Sequence, residues 1–219
     1  MIRPTKKQPD HQSGKVVIFD FDGTIADTFA TSIHIFEHMT KRHDVYTLEE
    51  IERLRGLSGL KLIRELHIKP WLVPFMLARG RVMMRRRMND INLFPGIKEV
   101  IADLYEQGVP LYIMSSNSPA NIRKFMRNHE MNHYFKRIYG NIGLLGKARM
   151  LRRVMHQNHI DPELTTYVGD ELRDIEGAKH VGIRVVAVGW GFNTADLLAT
   201  HEPDVIVHTP KELSRALKP

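Results

Sequence analysis

A run of β-forming residues drives into two carboxylates in Val16-Val17-Ile18-Phe19-Asp20-Phe21-Asp22-Gly23-Thr24, and a glycine follows at once. An ionised carboxylate at the end of a buried strand is costly unless it is paired or bound to a metal. Side chains alternate along a strand, so Asp20 and Asp22 leave it on the same lip. Two carboxylates meeting at one strand end suit Mg²⁺, a hard cation that takes oxygen ligands and keeps some of its waters. Gly23 permits a turn with φ > 0, whose N–H groups can face an anion. A strand that simply ends in an acidic turn is the competing reading.

Three more signals follow in order. Leu111-Tyr112-Ile113-Met114-Ser115-Ser116-Asn117 is a second apolar run, ending on a hydroxyl. Lys147 follows the glycine-flanked stretch Gly143-Leu144-Leu145-Gly146 and opens an amphipathic helix. Thr165-Thr166-Tyr167-Val168-Gly169-Asp170-Glu171-Leu172-Arg173-Asp174 runs a third strand into acids, with Asp170 and Asp174 spaced i, i+4. Taken together, Asp-x-Asp-Gly-Thr, strand-Ser, Lys and Gly-Asp-x-x-x-Asp resemble the haloacid dehalogenase-like hydrolase superfamily, and within it the phosphatases of the phosphoglycolate phosphatase type. The resemblance spans residues 15–217.

That resemblance implies hydrolysis of a phosphate monoester, in which two anions must be brought together, neutralised and aligned. Asp20 is the candidate nucleophile, forming an aspartyl-phosphate that divides the reaction in two. Asp22 is the candidate general acid and base. Asp170 would join Asp20 on Mg²⁺, and the family pattern adds the main-chain carbonyl of Asp22 to the metal's ligands. Asp174, one helical turn beyond Asp170, completes the metal site from behind, with Glu171 as an alternative ligand. Its plainer reading is a helix-surface charge paired to Lys179 or Arg173.

Ser115, or Ser116 in its place, is expected to hydrogen-bond a phosphoryl oxygen; capping the next helix is the duller role. Lys147 would supply the positive charge that a transferring phosphoryl group needs. The N–H groups around Asp22, Gly23 and Ser116 would complete an anion cradle. Within the resemblance, an intact Asp22 argues against C–halogen and C–P cleavage. Gly169-Asp170, where mutases tend to carry Glu-Asp, favours a phosphatase over a sugar-phosphate mutase.

The elements that must hold these residues read as α/β. After Phe94-Pro95-Gly96 the pattern alternates helix and strand, with strands predicted at 109–115, 137–140, 165–169, 183–188 and 204–207. Ile97, Val100, Ile101 and Leu104 mark one apolar helix face by their i, i+3, i+4, i+7 spacing. Thr209 caps the last helix, with Pro210 at N1 and Glu212 at N3. Repeated βα units imply a doubly wound parallel sheet with ligands at the carboxyl ends of its strands. Residues 27–92 read as helical throughout, with a capping box at Thr47 and Glu50 and a long helix that starts near Pro70 and Pro74. The resemblance makes 27–92 an inserted α-helical cap, 15–26 and 93–219 the core, and 1–14 a flexible tail.

Composition fits a small enzyme. The chain has 219 residues, 42% of them hydrophobic, which allows one good core and a small accessory domain. Cysteine is absent, which excludes disulfides, thiolate metal sites and a Cys nucleophile. No apolar run reaches the ~20 residues a membrane span needs, and a cytoplasmic monomer or homodimer is expected. The net charge of +7 favours anionic partners, either phosphorylated metabolites or nucleic acid. Phosphoglycolate, nucleotides and sugar phosphates all stay open as substrates. Arg55 and Gly56 resemble the cap loop that approaches substrate in related phosphatases. The basic cluster Arg79, Arg81, Arg85, Arg86 and Arg87 is either a solvated helix surface or a site for a second anionic group. The competing function is a basic binding protein that holds nucleic acid or an acidic partner on this fold.

Overall fold

The computed structural model describes residues 14–40, 46–143 and 146–218. Most of the expected tail, and Leu144 and Leu145 of the glycine-flanked turn, lie outside the described residues. Six parallel strands form one sheet: β1 (Val16–Phe19), β2 (Leu111–Met114), β3 (Phe135–Tyr139), β4 (Thr165–Gly169), β5 (Arg184–Val188) and β6 (Val205–Val207), in the order β3-β2-β1-β4-β5-β6. Central β1 is buried throughout, as expected of a parallel strand covered on both faces. Val17 and Phe19 join one apolar cluster, and Val16 and Ile18 join the other on the opposite face.

The strand expected at 137–140 begins earlier, at Phe135, which pairs with Leu111 and packs its ring edge-on against Phe19 at 6.4 Å. Exposed Lys136 and Arg137 hide that start in the sequence. From β1 the chain winds outward through β2 to β3, then returns to β4 on the other side of β1. The crevice between the carboxyl ends of β1 and its neighbours is thus a topological switch point, where ligands bind in open α/β sheets.

Between β1 and β2 lie α1 (Phe29–Thr40), α2 (Leu48–Arg55), α3 (Gly59–Glu65), a short 3₁₀ turn at Pro70–Leu72, α4 (Val73–Arg87) and α5 (Ile97–Glu106). The capping box forms as expected: the Glu50 N–H donates to Thr47 Oγ1 at 3.1 Å, and the Thr47 N–H donates to Glu50 Oε2 at 2.8 Å. The chain leaves for these helices and comes back at one place. Ala26 bridges Leu93, and the Asp27 N–H donates to the Asn92 carbonyl at 2.9 Å. In α4, Trp71 just upstream, Phe75 and Val82 are exposed, while Met84 is buried. The stripe Ile97, Val100, Ile101 and Leu104 on α5 is buried in full.

The remaining helices cover the sheet: α6 (Pro119–Asn128), α7 (Lys147–Asn158), α8 (Leu172–Val181), α9 (Ala195–Ala199) and α10 (Pro210–Leu217). Thr209 caps α10 by accepting the Glu212 N–H at 3.2 Å, which seats Leu213 and Leu217 in the core. Among the described residues, no helix is long and apolar enough to cross a membrane.

Candidate active site

Asp20, Ser115 and Asp170 each follow directly on the last residue of a strand, β1, β2 and β4, and Lys147 is the first residue of α7. The Asp20 N–H donates to the Val168 carbonyl at 2.8 Å, so the pairing of β1 with β4 fixes where its carboxylate emerges. Asp20, Asp170 and Asp174 are all buried, and each offers a carboxylate oxygen within 4.8 Å of the others. Asp170 is held at both oxygens: Thr24 Oγ1 donates to Oδ1 at 2.7 Å and the Phe192 N–H donates to Oδ2 at 2.7 Å. Lys147 Nζ, itself buried, donates to Asp20 Oδ2 at 2.5 Å and also to Asp174 Oδ1.

The electrostatics follow from this crowding. Burial pushes Asp20 up to about 7, with Lys147 opposing that rise and Asp174 adding to it. Burial, then the nearby charges of Glu171, Asp20 and Asp174, hold Asp170 far above the ordinary carboxylate range. Burial alone would depress Lys147, but Asp174 and Asp20 outweigh it and keep the ammonium charged. One lysine cannot neutralise three clustered acids. A hard divalent cation on Asp20, Asp170 and Asp174 would supply the missing charge, and an all-oxygen donor set suits Mg²⁺. The residues present therefore fit that ion.

Asp174 is not the surface charge that its sequence neighbours allow. It is buried against Lys147, and its Oδ2 accepts the Glu171 N–H at 3.0 Å. Arg173 pairs instead with Glu171, whose charge bears on Asp170 although its carboxylate is not one of the three that converge. Burial would raise Glu171, but the adjoining Arg173 outweighs it and holds the carboxyl below its usual range.

Asp22 turns its carboxylate the other way, toward β2. Ser115 Oγ donates to Oδ2 at 3.2 Å and Asn117 Nδ2 donates to Oδ1 at 3.1 Å. Burial raises Asp22, and these two donors only temper that rise. A carboxyl with a raised proton affinity suits an acid that must give up a proton and later take one. Asn117, which the sequence reading passed over, is the second group orienting it; its two-residue offset from Ser115 was the one available signal. Ser115 is wholly buried, and its Oγ also accepts the Asn117 N–H at 2.9 Å. Ser116, by contrast, lines the open cavity in front of Asp22.

The expected cradle is only partly present. The Gly23 N–H donates to the Ala26 carbonyl at 2.9 Å and is thereby taken up inside the turn. Among the described residues, the N–H groups of Asp22 and Ser116 have no acceptor and remain available to an anion. Gly23 is needed for another reason. Its φ is +77°, and a Cβ there would lie 2.1 Å from Asp170 Oδ2. Gly23→Ala is expected to destabilise the fold by roughly 2–4 kcal/mol, from left-handed strain plus overpacking. Urea denaturation of the variant against wild type measures this, and an unchanged midpoint would contradict the close approach.

The helices between β1 and β2 reach this site through two arginines. Arg55 Nη2 donates to the Gly191 carbonyl at 2.8 Å, and its guanidinium lies 5.5 Å from the Phe29 ring centre. Arg81 Nε donates to the Ser116 carbonyl at 2.7 Å. Gly56 ends α2 with φ −76°, and its neighbours Arg55 and Leu57 line the cavity while Gly56 itself does not. The basic cluster also divides, because Arg79, Arg85, Arg86 and Arg87 are exposed while only Arg81 turns inward.

Comparison with known proteins agrees with this geometry. The sequence pattern of the family described as haloacid dehalogenase-like hydrolase matches residues 17–188. A phosphoglycolate phosphatase from Synechococcus elongatus is 32% identical over 93% of this chain and 97% of its own. The tyrosine-protein kinase PtkA of Mycobacterium tuberculosis is 31% identical over 94% of this chain and 73% of its own. Among solved structures, a haloacid dehalogenase-like family hydrolase from Streptococcus pneumoniae superposes with a TM-score of 0.75 at 26% identity, covering 93% of this chain and 98% of that one. The matched stretch contains Asp20, Asp22, Ser115, Lys147, Asp170 and Asp174 in one continuous run of motifs, and the chain belongs to the haloacid dehalogenase-like hydrolases.

Proposed function

We propose that this hydrolase is a Mg²⁺-dependent phosphatase that passes the phosphoryl group of a small monoester to Asp20 and then to water. The observation that carries this reading is the division of labour between two neighbouring carboxylates. Asp20 is held by Lys147 beside the acid cluster, whereas Asp22 is turned away and oriented by Ser115 and Asn117. An oxygen of Asp20 attacks phosphorus and the bond to the leaving oxygen breaks, while Asp22 delivers its proton to that oxygen. Asp22 then removes a proton from the water that cleaves the aspartyl-phosphate, which returns Asp20 and releases inorganic phosphate. The N–H groups of Asp22 and Ser116, with Lys147, face the charge on the transferring group.

Asp20, Asp170 and Asp174, with the main-chain carbonyl of Asp22, would hold the ion. When bound, Mg²⁺ shields Asp20 from the incoming anion and stabilises negative charge at phosphorus. Residues 27–92 act as a cap over the site, and 15–26 with 93–219 as the core.

Hydrolysis of an aryl phosphate by metal-stripped protein, with Mg²⁺ added back, tests the reading. Turnover should fall to background in EDTA and return with Mg²⁺. Folded protein that hydrolyses no phosphomonoester in Mg²⁺, yet binds nucleic acid with a steep salt dependence, would favour a binding role instead.

A further inference from the structure

The cavity that begins at Asp22, Ser116 and Arg173 does not end at the core. It continues into the four helices α1 to α4 and has a volume of about 380 Å³, within the range of small-molecule sites. Its charged lining residues, Arg55, Arg81, Glu171 and Arg173, are engaged near the core loops. Arg55 holds Glu52 and the Gly191 carbonyl, Arg81 holds the Ser116 carbonyl, and Arg173 holds Glu171. Asn117 and Asn193 lie at the same core end. Beyond them the lining changes character: Ile33, Phe36, Leu62, Leu66, Met76 and Leu77 face the space, and among the described lining residues of the helical part only Ser32 and Tyr46 have polar side chains.

These apolar side chains are half-buried, unlike the fully buried residues of the sheet. The helices thus enclose apolar surface that they do not close over, and that surface is continuous with the carboxylate assigned to protonate the leaving oxygen. Apolar area left facing a cavity is stabilised by whatever apolar group removes it from water. A second carboxylate, as in phosphoglycolate, would meet hydrocarbon there.

Resting on the phosphatase reading above, we infer that the alcohol released by this enzyme is apolar: the substrate is an alkyl or aromatic phosphomonoester whose hydrocarbon part fills the helical cavity. Gly80 gives a direct handle. A Cβ at Gly80 would sit 3.9 Å from Met39 Cε and 4.0 Å from Ile35 Cγ2, so Ala fits by ordinary contact and a larger side chain takes up the space.

The test is a series of methyl, butyl, hexyl and octyl phosphate beside phosphoglycolate, with wild type, Gly80→Ala and Gly80→Leu. On wild type, kcat/KM should rise about fourfold for each added methylene until the cavity is filled. Phosphoglycolate should lie at least tenfold below hexyl phosphate. Gly80→Leu should cut the octyl-to-methyl ratio at least tenfold, and Gly80→Ala far less. If Gly80→Leu does not fold, Leu62→Phe serves the same purpose. A flat series, or phosphoglycolate preferred over hexyl phosphate, would overturn the inference and leave the phosphatase reading intact. If no ester is hydrolysed, that reading fails, and octanol binding to the metal-free protein decides the cavity's role alone. A rise in melting temperature that Gly80→Leu abolishes supports an apolar ligand, and no rise refutes it.

Discussion

Asp20→Asn should lower turnover of an aryl phosphate by on the order of 10⁴–10⁶, the size of loss that follows removal of a covalent nucleophile. The fold should persist. Asn is nearly isosteric with Asp, and Lys147 keeps its second partner, Asp174. Asp22→Asn provides the contrast, with a loss of ~10²–10⁴ for a general acid and base. An aryl leaving group departs without a proton, so this second variant should still form the aspartyl-phosphate and then stall. Rapid mixing should show a burst of product equal to the enzyme concentration in Asp22→Asn and none in Asp20→Asn. A burst in Asp20→Asn, or more than a trace of steady turnover, would remove Asp20 from its assigned role.

The second large effect concerns stability. Lys147 is 2% exposed and is the lysine that bridges Asp20 to Asp174. Truncating one member of a buried ion pair leaves its partners uncompensated and costs about 3–5 kcal/mol. Lys147→Met keeps most of the stem, so charge is the main loss, including the contact of the ammonium with the Tyr167 ring 5.6 Å away. In EDTA the variant should unfold at much lower urea than wild type. Mg²⁺ should recover part of the difference, since an ion at 100 times its Kd stabilises the folded state by about 2.7 kcal/mol. If Mg²⁺ shifts neither protein, the three acids do not bind it.

Much of this arrangement was legible before the fold was known, for identifiable reasons. The residues 165–169 announce β4 because a buried parallel strand carries an unbroken run of β-formers. The stripe from Ile97 to Leu104 announces α5 because its period has a single solution. The carboxylates were legible because they stand at the ends of such runs. What escaped were the pairings between distant segments that no motif announces. Asp174 has Arg173 and Lys179 close by in sequence, yet its partner, Lys147, lies 27 residues away. Asn117 meets Asp22 across 95 residues, and Arg81 meets Ser116 across 35.

The two arginines that seat the helical insertion share one property. Both take main-chain carbonyls as acceptors, Gly191 for Arg55 and Ser116 for Arg81. Asn193 reinforces the first contact by donating from Nδ2 to the carbonyls of Arg55 at 3.2 Å and Leu57 at 3.4 Å. A carbonyl is present whatever side chain the residue carries. The seating therefore tolerates drift at the acceptor positions and is vulnerable only at the donors. In evolutionary terms the sheet can accept redesigned helices between β1 and β2 without altering its own loops. Selection on substrate range can then act on the lining of the insertion while the carboxylates stay untouched.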